Sequence, residues 1–296
     1  MQHAPDATTA AVPIDALPAP EALGRMLASH LSALQAIGPA LPALEAAARA
    51  VAATLAGGGT LLYAAAGSSG LMALSDACEL PGTFGVPPER IRIRMAGGIP
   101  TDARMPGATE DAMDDGASAA QGLGPGDTAI VISASGTTPF ALAAARAARA
   151  AGLRIIGIAN VAQAPLLDLA DIAVAIPTAP EVVDGSTRLG AGTAQKVALN
   201  MISTLAGCLM GQVHDGMMVN LVADNIKLVA RAEAIVARIA GVAPAAARAA
   251  LEAADLDLKR AVLIAAGATP DQAAALLDSH GPYLRACLKA LHTTRN

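Results

Sequence analysis

Tryptophan is absent from this 296-residue chain, and aromatic residues of any kind make up 1% of it. Without them there are neither base-stacking platforms nor the aromatic walls that often line sugar sites. Any sugar bound here must be held by hydrogen bonds and a charged handle. Cysteine is scarce as well: Cys78, Cys208 and Cys287 lie far apart among apolar neighbours and form no Cys-x-x-Cys or Cys/His cluster. They read as small core residues of a reducing compartment, and no metal site is expected. Charged residues are only 15% of the chain, the net charge is -5, and Lys and Arg are scattered, which argues against nucleic acid as a partner. Long uninterrupted apolar runs are missing too, although 54% of residues are hydrophobic and the mean hydropathy is +0.48. Arg, Asp or Pro breaks every such run, so no membrane-spanning helix is expected. His3 and Asp6 stand where a signal peptide would need a basic segment, and a cytoplasmic location is expected.

What is present is enough apolar material for a large core. Residues 1 to about 20 are rich in Pro, Ala and Thr and read as an extended arm. From Pro20 to Leu55 the pattern turns helical, with Leu23, Met26, Leu27, Leu31 and Leu34 at spacings of three and four. TLLYAAAG, IRIRM, TAIVISAS, LRIIGIAN and DIAVAIP read as strands, alternating with helical segments such as LMALSDACEL and PFALAAARAARAAG. That alternation predicts an α/β fold, a doubly wound and mainly parallel sheet. Residues 186 to 210 and 223 to 242 are expected to be helical, followed by three short helical segments to 291. The expected division is therefore 1–55 as N-terminal arm and helix, 56–242 as the sheet domain and 243–296 as a small helical C-terminal domain.

Two hydroxyl-rich turns stand out. Gly67-Ser68-Ser69-Gly70 follows one expected strand and opens a helix, and Ser133-Ala134-Ser135-Gly136-Thr137-Thr138-Pro139 does the same after another. Free backbone N–H groups, small hydroxyls and a helix N-terminus at the carboxyl edge of a parallel sheet bind phosphate. Ser and Thr also cap ordinary helices, and for one turn alone that would suffice. Two in one unit, with Ser186-Thr187 as a third hydroxyl segment, favour phosphate.

The second turn resembles the phosphosugar loop of the SIS (sugar isomerase) superfamily, with Ser133, Ser135 and Thr138 on its hydroxyl positions and Gly136 and Thr137 between them. DACELPGTFGV is similar to a segment of the N-acetylmuramic acid 6-phosphate etherases, as are AGG at 96–98, TED at 109–111, GSTRLGAGTAQKVALNMIST at 185–204, the MVxxVAxNxKL pattern at 218–228 and HGxxLRxxL at 280–288. The resemblance runs in order from about residue 58 to the end. It implies a cofactor-independent lyase that removes D-lactate from C3 of a phosphosugar, leaving N-acetylglucosamine 6-phosphate. Glu79 and Glu110 fall on the two glutamates of the family motifs, which makes them the implied acid and base. The apolar neighbours Leu80, Phe84 and Val86 would bury Glu79 and favour the neutral acid; Glu110 would then be the base, and the roles could be reversed.

Ser68, Ser69, Ser186, Lys196 and His280 complete the candidate substrate contacts, although Lys196 could pair within its helix and a lone His in a turn is more often structural. The chain departs from the family at Leu71, Thr137 and Gly190, each of which replaces a basic residue, and it lacks the N-terminal Thr-Glu-x-x-Asn pattern. Two other activities stay open: an isomerase of the same superfamily, or a non-catalytic sugar-phosphate sensor similar to the glucokinase regulatory proteins. The expected partners are a small phosphosugar and a second copy of the chain, since SIS-like sites are commonly completed across a subunit interface and the apolar segment at 20–55 needs a partner surface.

Overall fold

The computed structural model describes residues 12–105 and 107–293; the expected arm at residues 1–11 lies outside them. The chain begins with α1 (Ala19–Gln35) and α2 (Leu41–Ala56), then runs β1 (Leu61–Ala65), α3 (Gly67–Phe84), β2 (Ile91–Met95), α4 (Met113–Ala117), β3 (Thr128–Ser133), α5 (Pro139–Ala150), β4 (Arg154–Ala159), α6 (Pro165–Asp168), β5 (Ile172–Ala175) and α7 (Gly190–Leu209). A short hairpin, β6 (Val213–His214) and β7 (Met217–Met218), leads to α8 (Ile226–Ala240), α9 (Pro244–Ala253), α10 (Leu258–Ala265), α11 (Pro270–His280) and α12 (Leu284–Thr293). Two expectations need correction. The helical stretch at 20–55 is two helices, because Gly38-Pro39 opens a tight turn between them, and the end of the chain holds four helices rather than three.

The five long strands form one sheet in the order β2-β1-β3-β4-β5, parallel throughout, which is the expected doubly wound arrangement. Helices cover both faces, so its central strands are continuously apolar. On one face α2, α3 and α7 pack over Leu61, Tyr63, Ala65, Ile130, Ile132, Ile156 and Ile158. On the other, α5 brings Phe140, Ala141 and Ala144 against Leu62, Ala64, Ala129 and Val131. Each fully buried Leu or Ile contributes about 1.5–3 kcal/mol relative to exposure. A separate apolar cluster joins β7, α8 and the last four helices through Val236, Leu251, Val262, Leu284 and Cys287.

Helix α1 leaves Leu23 (65% exposed), Leu27 (60%) and Leu31 (51%) facing outward, at spacings that place them on one stripe. No single helix among the described residues is long and apolar enough to cross a membrane.

Helices α3 and α7 approach closely where Gly207 meets the Phe84 ring; an added Cβ would stand 2.7 Å from ring carbons. Gly207→Ala should therefore overpack this crossing and lose about 1–3 kcal/mol of stability. Urea unfolding should show a lower midpoint at an unchanged slope.

Candidate functional site

In this strand order the chain leaves β1 toward one sheet edge and leaves β3, its neighbour, toward the other. The crevice between two such loops, outside the carboxyl ends of the strands, is where open α/β sheets bind ligands. Both hydroxyl-rich segments lie at this point. Gly67 to Gly70, expected as a turn, already forms the first turn of α3, with the Gly70 N–H bonded to Ala66 O at 3.1 Å. The first N–H groups of α3 thus face the crevice without helical partners.

The second segment holds its shape through its own hydroxyls. Ser133 Oγ lies 2.8 Å from Thr138 Oγ1 and accepts the Gly136 N–H at 3.0 Å; Ser135 Oγ accepts the Thr137 N–H at 3.1 Å and its hydroxyl at 2.9 Å. Gly136 is at φ +66 with Ala164 against it, so neither the backbone nor the space admits a side chain. The Thr138 side chain makes no cap on α5, which begins at Pro139. Simple N-capping therefore does not account for this hydroxyl.

Glu110 comes from the short helical turn Gly107–Asp111 and places its carboxylate against Gly67, where any Cβ would collide with it. One carboxylate thus sits at the head of α3 beside Ser68 and Ser69. Glu79 is on the same helix but 12 residues further on, about 18 Å along the axis. It is exposed rather than buried among Leu80 and Phe84, because Ala73, Ala77, Leu80 and Phe84 form the inward stripe. One chain therefore does not bring the two glutamates together.

Ser186 precedes the head of α7 at the same sheet edge, while Lys196 is exposed on that helix and makes no ion pair among the described residues. His280 ends α11, with Nδ1 2.9 Å from Ser279 Oγ and 3.3 Å from Leu276 O. The neighbouring Pro282 and Tyr283 touch Gly211 and Leu209 at the tail of α7, about 30 Å from its head. His280 is thus remote from its own chain's crevice.

Three features were not singled out from sequence. Glu181 accepts the N–H groups of Gly190 and Ala191 at 2.8 and 2.9 Å, capping α7 with a carboxylate. Gln195, fully enclosed, donates to Asn160 Oδ1 at 2.8 Å and leaves its own Oε1 without a partner at the strand ends. Asp76, 4% exposed, accepts from Tyr63 Oη at 3.0 Å, Asn200 Nδ2 at 3.0 Å and Ser203 Oγ at 2.9 Å. The visible signal for Asp76 was a carboxylate on the apolar stripe of a helix. It shares a cleft of about 210 Å³ with Glu79, Leu80, Thr83, Phe84 and Thr204. Burial raises the Asp76 pKa above the usual carboxylate value; the Ser203, Asn200 and Tyr63 hydrogen bonds oppose this, and the charge of Glu79 adds to it.

Among known proteins, residues 31–160 match the SIS domain. The chain is 42% identical over 277 residues to an N-acetylmuramic acid 6-phosphate etherase of Deinococcus radiodurans, covering 91% of this chain and 90% of the relative. It is 42% identical over 260 residues to the protein of that name from Erwinia tasmaniensis, covering 86% and 84%, and 39% identical over 280 residues to that of Streptomyces avermitilis, covering 94% and 90%.

A raised folded-state pKa means that Asp76 contributes stability below its unfolded value of about 3.8 and loses it as pH rises through the raised value. Asp76→Asn keeps the shape without the titration. The stability advantage of the parent over this variant should be greater at pH 4 than at pH 7 in paired urea melts; a difference that stays constant would contradict the burial effect.

Proposed function

The chain belongs to the N-acetylmuramic acid 6-phosphate etherase family, and we propose that it cleaves the C3 lactyl ether of that phosphosugar by elimination and rehydration. The observation that carries this reading is the Glu110 carboxylate at the head of α3, beside two hydroxyl turns at the switch point of the sheet. Phosphate fits the N–H groups and hydroxyls of Ser68, Ser69, Ser133, Ser135 and Thr138. In the open-chain sugar the C2 proton is acidic because the aldehyde is adjacent. Glu110 takes that proton, a second acid protonates the departing ether oxygen as the C3–O bond breaks, and D-lactate leaves an unsaturated aldehyde. Water then adds at C3 as a proton returns to C2, giving N-acetylglucosamine 6-phosphate.

The second acid in this scheme is Glu79 of another copy. Within one chain it lies at the wrong end of α3, but its cleft adjoins, at Asn200 and Thr204, a groove of about 530 Å³ between α2 and α7. Leu41, Leu44, Val197, Met201 and Leu205 line that groove, and Asn200 and Thr204 belong to both hollows. A copy seated there, aided by the exposed leucine stripe of α1, would set its crevice beside Glu79 and form a homodimer.

Incubation with N-acetylmuramic acid 6-phosphate in deuterated water should release D-lactate and place deuterium at C2. Glu110→Gln should lose both, whereas Glu79→Gln should keep exchange while losing lactate release; each should slow turnover by roughly 10²–10⁴-fold. Subunits mixed from the two inactive variants should recover activity, since one site in each mixed dimer has both glutamates. No recovery after verified subunit exchange would place both roles within one chain, against the geometry. A parent without turnover or exchange would leave the sensor, to which the loss of basic residues at Leu71, Thr137 and Gly190 also points.

Ser135→Ala should weaken binding of the phosphosugar by about 1.5–3 kcal/mol and leave the unphosphorylated sugar almost unaffected. Calorimetry with both ligands checks this, and equal weakening would remove phosphate from this loop.

A further inference from the structure

The turn of α3 that carries Glu79 is poorly held by its own backbone. Pro81 lies inside the helix, has no N–H to give to Ala77 O, and is followed by Gly82, whose Cβ position has nothing within 4 Å. A helix weakened in this way frays or kinks unless neighbouring groups hold it. The anchor just before the weak turn is Asp76. Its Oδ2 accepts from Tyr63 on β1 and its Oδ1 from both Asn200 and Ser203 on α7, so one buried carboxylate ties α3 to the sheet beneath and to the helix beside it.

Glu79 is the next residue but two, and both line the same cleft. The far side of the weak turn is held as well, by Asn220 Nδ2 donating to Phe84 O at 2.9 Å and by the Phe84 ring on Gly207. The loose turn is therefore clamped at both ends. A carboxylate is an expensive clamp, since removing it from water costs several kcal/mol unless its lone pairs are filled. A plain helix contact would be met by Ala or Leu.

We infer that Asp76 is a positioning residue: through Tyr63, Asn200 and Ser203 it fixes the α3 turn from which Glu79 reaches the ether oxygen of a substrate bound by a second copy, an inference that rests on the proposed roles of Glu79 and Glu110. Asp76 itself moves no proton in this account. Its function is geometric, and a displacement of about 1 Å at a reacting group can cost 10²-fold in rate.

The test uses the full chain with N-acetylmuramic acid 6-phosphate in deuterated water, following D-lactate release and C2 deuteration together. Asp76→Ala should slow lactate release by about 10²-fold while KM and C2 exchange stay near the parent values, the pattern expected of a misplaced acid with an intact base and phosphate site. Asp76→Asn should restore most of the rate: its oxygen still accepts from Asn200 and Ser203, and its amide can donate to the Tyr63 hydroxyl. Ser203→Ala removes one bond of the clamp and should give a smaller loss in the same sense, and it carries the test if Asp76→Ala does not fold. On a Glu79→Gln background, Asp76→Ala should cost nothing further.

Loss of exchange and release in equal measure would mean that Asp76 supports the whole fold, and unchanged release would mean that the clamp is idle; either overturns the inference, as does an Asn variant no better than Ala. A parent that neither exchanges nor releases lactate fails at the proposed reaction itself and takes the inference with it. A parent that turns over, with variants behaving in one of the ways just given, fails at Asp76 alone.

Discussion

Everything else in the molecule hangs on the divergence of two adjacent parallel strands. A parallel strand must be followed by a crossover, and right-handed crossovers leaving in opposite lateral directions put their helices on opposite faces. Here α3 leaves β1 on one face and α5 leaves β3 on the other, so the chain cannot cover the gap between them. What remains at the gap is backbone: the unpaired N–H groups at two helix heads, with small residues because nothing larger fits. Gly67 is pressed by the Glu110 carboxylate and Gly136 by Ala164, which sets the composition of both turns.

Helix α3 links this crevice to a second one. Its head shares the crevice with Glu110, and about 18 Å along the axis the same helix carries Glu79. A rigid helix keeps its two ends apart, so in the proposed reaction the base held against the head of α3 and the acid carried near its tail serve two different substrate molecules. Dimerisation then becomes part of the chemistry rather than a means of covering apolar surface. The groove between α2 and α7 shares Asn200 and Thr204 with the cleft that holds Glu79, so one interface there would serve both purposes.

The sheet was legible because its central strands are short apolar runs, LLYAA, TAIVIS and RIIGIA, the composition that burial on both faces imposes. The two-residue strands β6 and β7 were not, since a period of two cannot show over two positions. Gly38-Pro39 broke a helix whose leucine spacing continued through it, because periodicity reports a face and not the continuity of the backbone. The hydroxyl-rich segment at 133–138 was readable from local sequence because its bonds join residues within five positions, whereas Gly67–Gly70, expected as a turn, is helix. Glu79 is exposed although Leu80 and Phe84 are close to it in sequence, because its angle on the helix and not its neighbours sets its burial. The stripe through Ala73, Ala77, Leu80 and Phe84 puts Asp76 inside and Glu79 outside, a distinction already present in the spacing. The partners of Asp76 could not be read at all: Asn200 and Ser203 lie 124 and 127 residues away and meet it only through the packing of α3 on α7.

The missing basic residues acquire a physical sense in this setting. At the head of α7 the Gly190 and Ala191 N–H groups are already taken by Glu181, so a cation at position 190 would meet a carboxylate before it met a ligand. Thr137, in place of the family's basic residue, turns its hydroxyl to Ser135 and stiffens the loop instead of reaching outward. A phosphate bound there as proposed would therefore be met chiefly by fixed N–H groups and short hydroxyls. Such donors lose little conformational freedom on binding, unlike long Arg or Lys side chains, which must give up rotamers to form the same bonds. They also act only at contact, whereas a guanidinium attracts from up to a Debye length of about 8 Å at physiological salt. In the proposed reaction the crevice would exchange long-range attraction for short-range geometry, selecting a sugar phosphate by how well its oxygens fit the helix heads rather than by its total charge.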